Sequence, residues 1–403
     1  MRRAILLMGM VAAVSVAVAQ GQNNIVIPES SIERPGDAGL RMHTHYFMYA
    51  PDPKATPETP PPGLTVETPG SIACIYGLVA SVAGCPVATA TTLPTGGSGT
   101  IVLVDAYDDP SAGADLKTFS TFWGLPAANF SKIYASGTRP ANGCASGWEL
   151  EEALDIQWAH AMAPKAKIVL MEAASNSDTD LFAAVVAANG YIGSHGTFKG
   201  EVSMSWGSSE FSLEGIYDPD LLFPNVVYFA SSGDSAGVSY PSASPFVVSA
   251  GGTQIDRDSS GNYTKQVATT TCGAGCGGGK SVYEGRPSFQ DPVSTIVGSA
   301  RGTPDLASDS SSNSPVWVYD SSCYNSWLAV YGTSVASPTL AGIINRAGQF
   351  NTDSNAELTE VYNNRNNTAD YKDITTGSCA THSAKVGYDF CTGVGRVKGY
   401  GKK

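Results

Sequence analysis

Three short stretches hold side chains that can do chemistry. In YGTSVASPTL (331–340), Ser334 follows the apolar run WLAVY and opens a helical stretch. In WELEEALD (148–155), Glu151 and Asp155 are four residues apart, so on a helix they share one face. In ASSGDSAG (230–237), Asp234 sits on a small-residue turn that ends the run VVYFA. A serine nucleophile needs a neighbouring group to take its proton. Histidine is the usual choice, and the chain has five: His43, His45, His160, His195 and His382. A carboxylate pair is the other candidate, because close carboxyls split their pKa values and share a proton. Each stretch alone also has a plain reading. Ser334 or Thr333 can simply cap a helix, Glu151 and Asp155 can form a solvated acidic face near a helix start, and Asp234 can be ordinary turn chemistry.

The elements that must carry these groups follow from the apolar pattern. TIVLVDAY (100–107) reads as a buried strand, followed by a helix near ADLKTFSTFWG. WELEEALDIQWAHAMA (148–163) reads as a helix stopped by Pro164. Trp158 and Met162 extend the face of Glu151 and Asp155, so that face points inward. KIVLMEA (167–173), EVSMSWG (201–207), VVYFASSG (226–233) and FVVSAGG (246–252) are further strands, with a helix at DLFAAVVAANGYIG. Strands separated by helices of this length imply a parallel sheet covered on both faces. Asp234 then lies at a strand C-terminus, where ligand sites gather in such sheets. The Gly/Ser-rich stretch 254–325 reads as long surface loops with short strands.

Composition narrows the setting. Of 403 residues only 15% are charged, and the net charge is -12. Such a chain is a poor partner for nucleic acid or anionic membranes. The chain opens with MRR and a short apolar run ending Ala17-Val18-Ala19, which predicts a signal peptide over 1–19 and export to an extracellular or periplasmic space. No later run is long and apolar enough to span a bilayer. Residues 20–70, with PDPKATPETPPPG at 51–63, read as an extended Pro-rich arm or short pro-segment. The main domain is then 71–403. Eight cysteines suit an oxidising compartment. They allow about a hundred pairings. Local pairing favours Cys74–Cys85, Cys272–Cys276 and Cys379–Cys391, leaving Cys144 with Cys323. A zinc site is the weaker alternative, with no two CxxC pairs and few histidines.

Taken in order, ExxxD, SMSWG (203–207), SSGDS, YPSASPFVVSAGGT (240–253), RGTPDLA (301–307) and YGTSVASP resemble the sedolisins, the serine-carboxyl peptidases. The likeness runs over roughly residues 70–400. It implies an α/β, subtilisin-like three-layer domain with a mostly parallel central sheet flanked by helices. It also implies a monomeric, secreted, acid-acting endopeptidase of polypeptides, with Ser334 as nucleophile, Glu151 as base, Asp155 as its partner and Asp234 as the oxyanion acid. KDITTG and GYDFCTGVG resemble the family's calcium loop, which implies one structural Ca2+ held by the carboxylates of Asp373 and Asp389 and the carbonyls of Ile374, Lys385 and Gly387. Lys385 stands where the family usually has Gly.

Two alternatives remain open at this stage. One is a non-catalytic secreted binding protein on the same scaffold. The other is a neutral-pH Ser-His-Asp peptidase, with Asp105 in IVLVDAY as its acid and His195 in SHGTF as its base. His195 stands too close to SMSWG for that arrangement. His160 lies on the same helix as Glu151, but nine residues on it points about 180° away. Asp105 can instead be a further acid linked to the Glu151–Asp155 pair. The arm 20–70 can also cover the cleft.

Overall fold

The computed structural model describes residues 25–195 and 198–399. The proposed signal peptide lies outside the described residues. An eight-stranded sheet organises the chain: β1 (Thr100–Ala106), β2 (Asn129–Tyr134), β3 (Lys167–Ala173), β4 (Gly200–Met204), β5 (Val226–Ser231), β6 (Val247–Arg257), β7 (Tyr263–Ala268) and β8 (Leu306–Asp309). Their spatial order is β7-β6-β5-β4-β1-β3-β2, with β8 also paired to β6. Every pairing is parallel except β6 with β7.

Alternate side chains of each strand serve opposite faces. Ile101, Leu103, Ile168 and Leu170 join one core, together with Leu340 and Ile343. Val102, Val104, Val169 and Met171 join the other, together with Phe182 and Val185. The four principal helices are α1 (Ala112–Trp123), α2 (Trp148–Met162), α3 (Asp178–Ser194) and α4 (Thr333–Ala347). α2 and α4 cover the first face and α3 the second. This is the three-layer α/β arrangement that the pattern implies.

Two stretches differ from their sequence reading. β2 has no apolar run, because an edge strand that is only half buried needs none; its residues NFSKIY are intermediate or exposed. The stretch 254–325 is not mainly surface loop. It supplies β7, the fully buried β8, and the strand Val316–Asp320. β8 reads LASD, so small and polar residues fill a buried strand with no hydrophobic signature.

Residues 25–70 are extended, but they are not a separate arm. Met42, Tyr46 and Met48 are fully buried. The strand His43–Thr44 pairs with Trp206–Ser209, and Phe47–Tyr49 pairs with Ser326–Tyr331. The apolar residues of HTHYFMY tie this segment to the fold. The short helix Pro69–Ile75 follows, closed by a capping box between Thr68 and Ser71. All eight cysteines are paired: Cys74–Cys85, Cys144–Cys323, Cys272–Cys276 and Cys379–Cys391.

Candidate active site

Glu151 and Asp155 lie on α2, and Ser334 is the second residue of α4. Both helices pack on the same face of the sheet. They approach closely at Gly342, where a Cβ would fall 2.7 Å from the Met162 Cβ and 2.9 Å from the Ala159 carbonyl oxygen. α2 is further fixed to the strand Val316–Asp320. The Trp158 indole N–H donates to the Trp317 carbonyl at 3.1 Å, and the Gln157 amide bridges both backbone groups of Tyr319. That strand pairs with Ser326–Tyr331, which runs straight into Ser334.

The packing brings the predicted residues together. The Ser334 hydroxyl donates to Glu151 Oε2 at 2.8 Å. The Ser205 hydroxyl donates to Asp155 Oδ1 at 2.7 Å. Glu151 Oε1 and Asp155 Oδ2 find no hydrogen-bond donor, and the two carboxyls interact with each other. Ser334, Glu151 and Asp155 are fully buried. Burial raises both carboxyl pKa values well above the usual range. The nearby charges of Asp155 and Asp105 raise Glu151 further, and that of Asp105 raises Asp155. Asp105 is also buried, with both oxygens unpartnered. Its pKa is pushed up to about 8 by burial and by Glu172. Such a set shares protons as a unit.

Asp234 stands on the other side of Ser334. Its Oδ1 accepts from the Thr333 N–H and hydroxyl, both at 2.8 Å, and its Oδ2 has no partner. Burial holds its carboxyl pKa well above the ordinary range. Gly332 makes the space between. A Cβ there would lie 2.4 Å from Asp234 Oδ2 and 2.2 Å from the His45 carbonyl oxygen. With φ at +124°, this backbone also disfavours any side chain. The Ser334 N–H, which has no acceptor within α4, donates to that His45 oxygen at 3.0 Å. Backbone N–H groups at a helix start favour negative charge, so this spot suits an oxyanion.

The histidines take other roles. His160 is buried at 3.0 Å from the Pro126 carbonyl, and burial lowers its pKa. His195 ends α3 at the surface, its ring stacked on Tyr191. His45 meets Ser334 through its backbone, while its ring nitrogen Nδ1 sits 2.6 Å from Ser231 Oγ. Among the described residues no histidine ring hydrogen-bonds Ser334.

No protein-family model matches the chain. Two curated relatives do. Sedolisin from Pseudomonas sp. (strain 101) is 25% identical over 302 residues, covering 66% of this chain and 49% of the relative. Kumamolisin from Bacillus sp. (strain MN-32) is 27% identical over 337 residues, covering 73% and 57%. The chain spans about half the length of the curated relatives it matches. A solved structure, Pseudomonas sedolisin (serine-carboxyl proteinase) complexed with two molecules of pseudo-iodotyrostatin, superposes with a TM-score of 0.68 at 22% identity. It covers 83% of this chain and 96% of that one. Over most of its length the chain is similar to sedolisin and kumamolisin. Its subtilisin-like fold is shown by the structural likeness.

Asp373 and Asp389 both accept from the backbone of the turn 385–387. Asp373 Oδ2 accepts from the Gly387 N–H, and Asp389 Oδ2 from the Lys385 N–H, each at 2.8 Å. Asp373 Oδ1 is shielded from solvent and has no partner. Lys385 is exposed, so the departure from glycine puts its ammonium in solvent. The orphaned Asp373 oxygen fits a hard cation, whereas both Asp389 oxygens already accept from Lys385, Cys391 and Thr392. Cys144, Glu149 and Cys323 also cluster, but both sulfurs are spent in a disulfide.

Sequence reasoning missed four contributors to the sedolisin-like site: Ser205, Ser231, Gly332 and the backbone of His45. Ser205 and Ser231 stand inside the stretches SMSWG and SSGDS, yet a lone serine at or beside a strand end carries no signal of its own. His45 comes from a distant segment, and nothing local announces its place.

Proposed function

We propose that this chain is an acid-acting serine endopeptidase that cleaves polypeptides. The carrying observation is the 2.8 Å hydrogen bond from Ser334 to a carboxylate that is itself paired with a second buried carboxyl. Ser334 Oγ attacks the scissile carbonyl while Glu151 accepts its proton and later returns it to the leaving amine. Asp155, held by Ser205, orients Glu151 and shares the proton. Asp234, protonated, and the Ser334 N–H donate to the developing oxyanion.

The acids set the working pH. Imidazole, with a pKa of about 6.5, is already protonated in acid and cannot serve as base there. Burial helps Asp234 keep the proton it must donate. Activity is therefore highest in acid and falls as pH rises and the raised carboxyls ionise. Hydrolysis of casein or a peptide library by the full chain, measured from about pH 3 to 8, tests this. A profile that stays flat up to pH 8 overturns it.

Calcium is proposed as a structural ligand of the Asp373 and Asp389 carboxylates and the Ile374, Lys385 and Gly387 carbonyls. Bound there, it would neutralise two acids beside the turn 385–387. Export is proposed from the leader sequence, and the four disulfides support an oxidising destination. Among the described residues no helix is long and apolar enough to cross a membrane.

A further inference from the structure

Four large apolar side chains stand in solvent on two adjoining loops. Leu213 and Ile216 are 66% and 61% exposed, and Val282 and Tyr283 are 78% and 49% exposed. Scattered apolar residues are ordinary on a surface, but a contiguous group marks a contact face. The first loop continues the strand Trp206–Ser209 and closes as the turn Glu214–Ile216, with the Phe211 N–H donating to Glu214 Oε2 at 2.9 Å. The second is the middle of the strand Gly279–Gly285. Its pairing with Ala300–Thr303 breaks between Lys280 and Gly285, so Val282 and Tyr283 bulge out of the ladder.

Glu210 fastens the two loops together. Its carboxylate accepts from the Ser281 hydroxyl and, at 3.1 Å, from the Val282 N–H. The Ser281 oxygen in turn accepts from the Tyr283 N–H at 3.1 Å and the Glu284 N–H at 2.7 Å. A Cβ added at Gly215 would stand 3.5 Å from Glu284 Oε1, so turn and bulge are neighbours. Burial, with Glu210 and Glu284 close by, pushes the Glu214 acid up to about 8. Burial, with Asp218 and Glu210 acting against the pull of Arg301, pushes Glu284 to about 7. In acid both hold their protons, and these two groups put no charge beneath the apolar face.

The face is continuous with the candidate site. Ser334 Oγ lies 3.1 Å from the Ser205 carbonyl oxygen, and the strand Trp206–Ser209 leads from there straight to Glu210. His43 pairs with Gly207 and Thr44 with Trp206, so a peptide on this edge runs antiparallel and its upstream end heads for the two loops. We propose that Leu213, Ile216, Val282 and Tyr283 form an exosite for an apolar stretch of the polypeptide substrate, upstream of the bond that Ser334 attacks. The inference rests on the peptidase reading and adds a second contact to it. At ~3.4 Å per residue, the stretch lies about five or more residues before that bond. An apolar partner fits because such a face rewards buried apolar area and offers no side-chain cation to a charged one.

The test compares two peptides cut by the full chain near about pH 4. Both carry the same cleaved core, taken from a peptide library, and an N-terminal extension of about eight residues. The extension alternates Leu and Ser in one peptide, Gly and Ser in the other. Expected is a KM about tenfold lower for the Leu-Ser peptide at equal kcat, because contacts away from the reacting centre act on KM. Val282→Ser with Tyr283→Ser should remove most of that difference and leave the Gly-Ser peptide unchanged. Leu213→Ser with Ile216→Ser should do the same from the other loop. All four side chains are exposed, and an unchanged denaturation midpoint checks that the variants fold. Equal KM for the two peptides, or a difference that survives both pairs of substitutions, overturns this inference and spares the peptidase reading. A concentration-dependent dimer in sedimentation, lost in the variants while the KM difference persists, assigns the face to a second copy and also overturns it. No cleavage of any library peptide from about pH 3 to 8 overturns both.

Discussion

Arg301 and Asp305 are as deeply buried as Glu151 and Asp155, yet the two groups handle charge in opposite ways. Asp305 accepts from both Arg301 Nη atoms at 2.7 and 2.6 Å, and from the Ser249 N–H and Tyr362 hydroxyl at 2.8 Å. Its charge is matched by a cation and covered by donors. Glu151 and Asp155 have Ser334, Ser205 and each other as hydrogen-bond partners, and the charges acting on them are those of other acids. A buried carboxylate without a cation takes up a proton instead of ionising. One cluster fixes the fold through a permanent charge pair. The other stores a proton that chemistry can move. RGTPDLA and WELEEALD therefore carry different burdens despite equal burial.

Breaking the two clusters separates those burdens. Ser334→Ala should lower peptide hydrolysis near pH 4 by about 10⁴-fold or more, with the denaturation midpoint little changed. Asp305→Asn should do the reverse. It strands the Arg301 charge and costs about 3–5 kcal/mol in a urea titration, with activity lost only as the fold is lost. Asp234→Ala should reduce kcat by about 10²–10³. Asp234→Asn, which keeps an N–H donor, should recover part of that and lose less of its activity as pH rises.

The proton stored at the site also predicts how stability follows pH. Glu151, Asp155 and Asp234 have folded-state pKa values raised above those of the unfolded chain. Above about pH 4 the unfolded chain loses protons that the folded chain retains. The folded state then binds more protons, so stability is greatest in acid and declines as pH rises. The pair Glu151→Gln with Asp155→Asn should flatten that decline and add about 1–3 kcal/mol near pH 7, read by urea titration at two pH values. A chelator should produce the smallest effect, lowering the melting temperature by about a few degrees through loss of the proposed calcium; no shift at all would count against that site.

Sequence shows the site acids more readily than the scaffold around them. ExxxD, GTS and SSGDS are local patterns, and the alternation of apolar strands with helices gives the parallel sheet because it depends on periodicity alone. β8 is hidden because LASD fills a buried slot with small residues. β2 is hidden because an edge strand need not be apolar. The placement of 43–48 is the hardest to read. Its partners Trp206, Gly207, Val330 and Tyr331 lie far away in the chain, and strand pairing at such separation leaves no trace in local composition. The segment's apolar residues, Tyr46, Phe47 and Met48, are the one hint that it belongs inside the fold.

Gly342 has a consequence for temperature and pressure. The gap between Ser334 and Glu151 spans two helices whose separation is set where backbone meets side chain with no Cβ between. Gly342→Ala wedges that joint apart by the width of a methyl group. Such a change acts as a spacer at the far end of a lever, so turnover should suffer at temperatures where the fold still holds. Heat, by loosening the same joint, would then switch off turnover before it melts the protein.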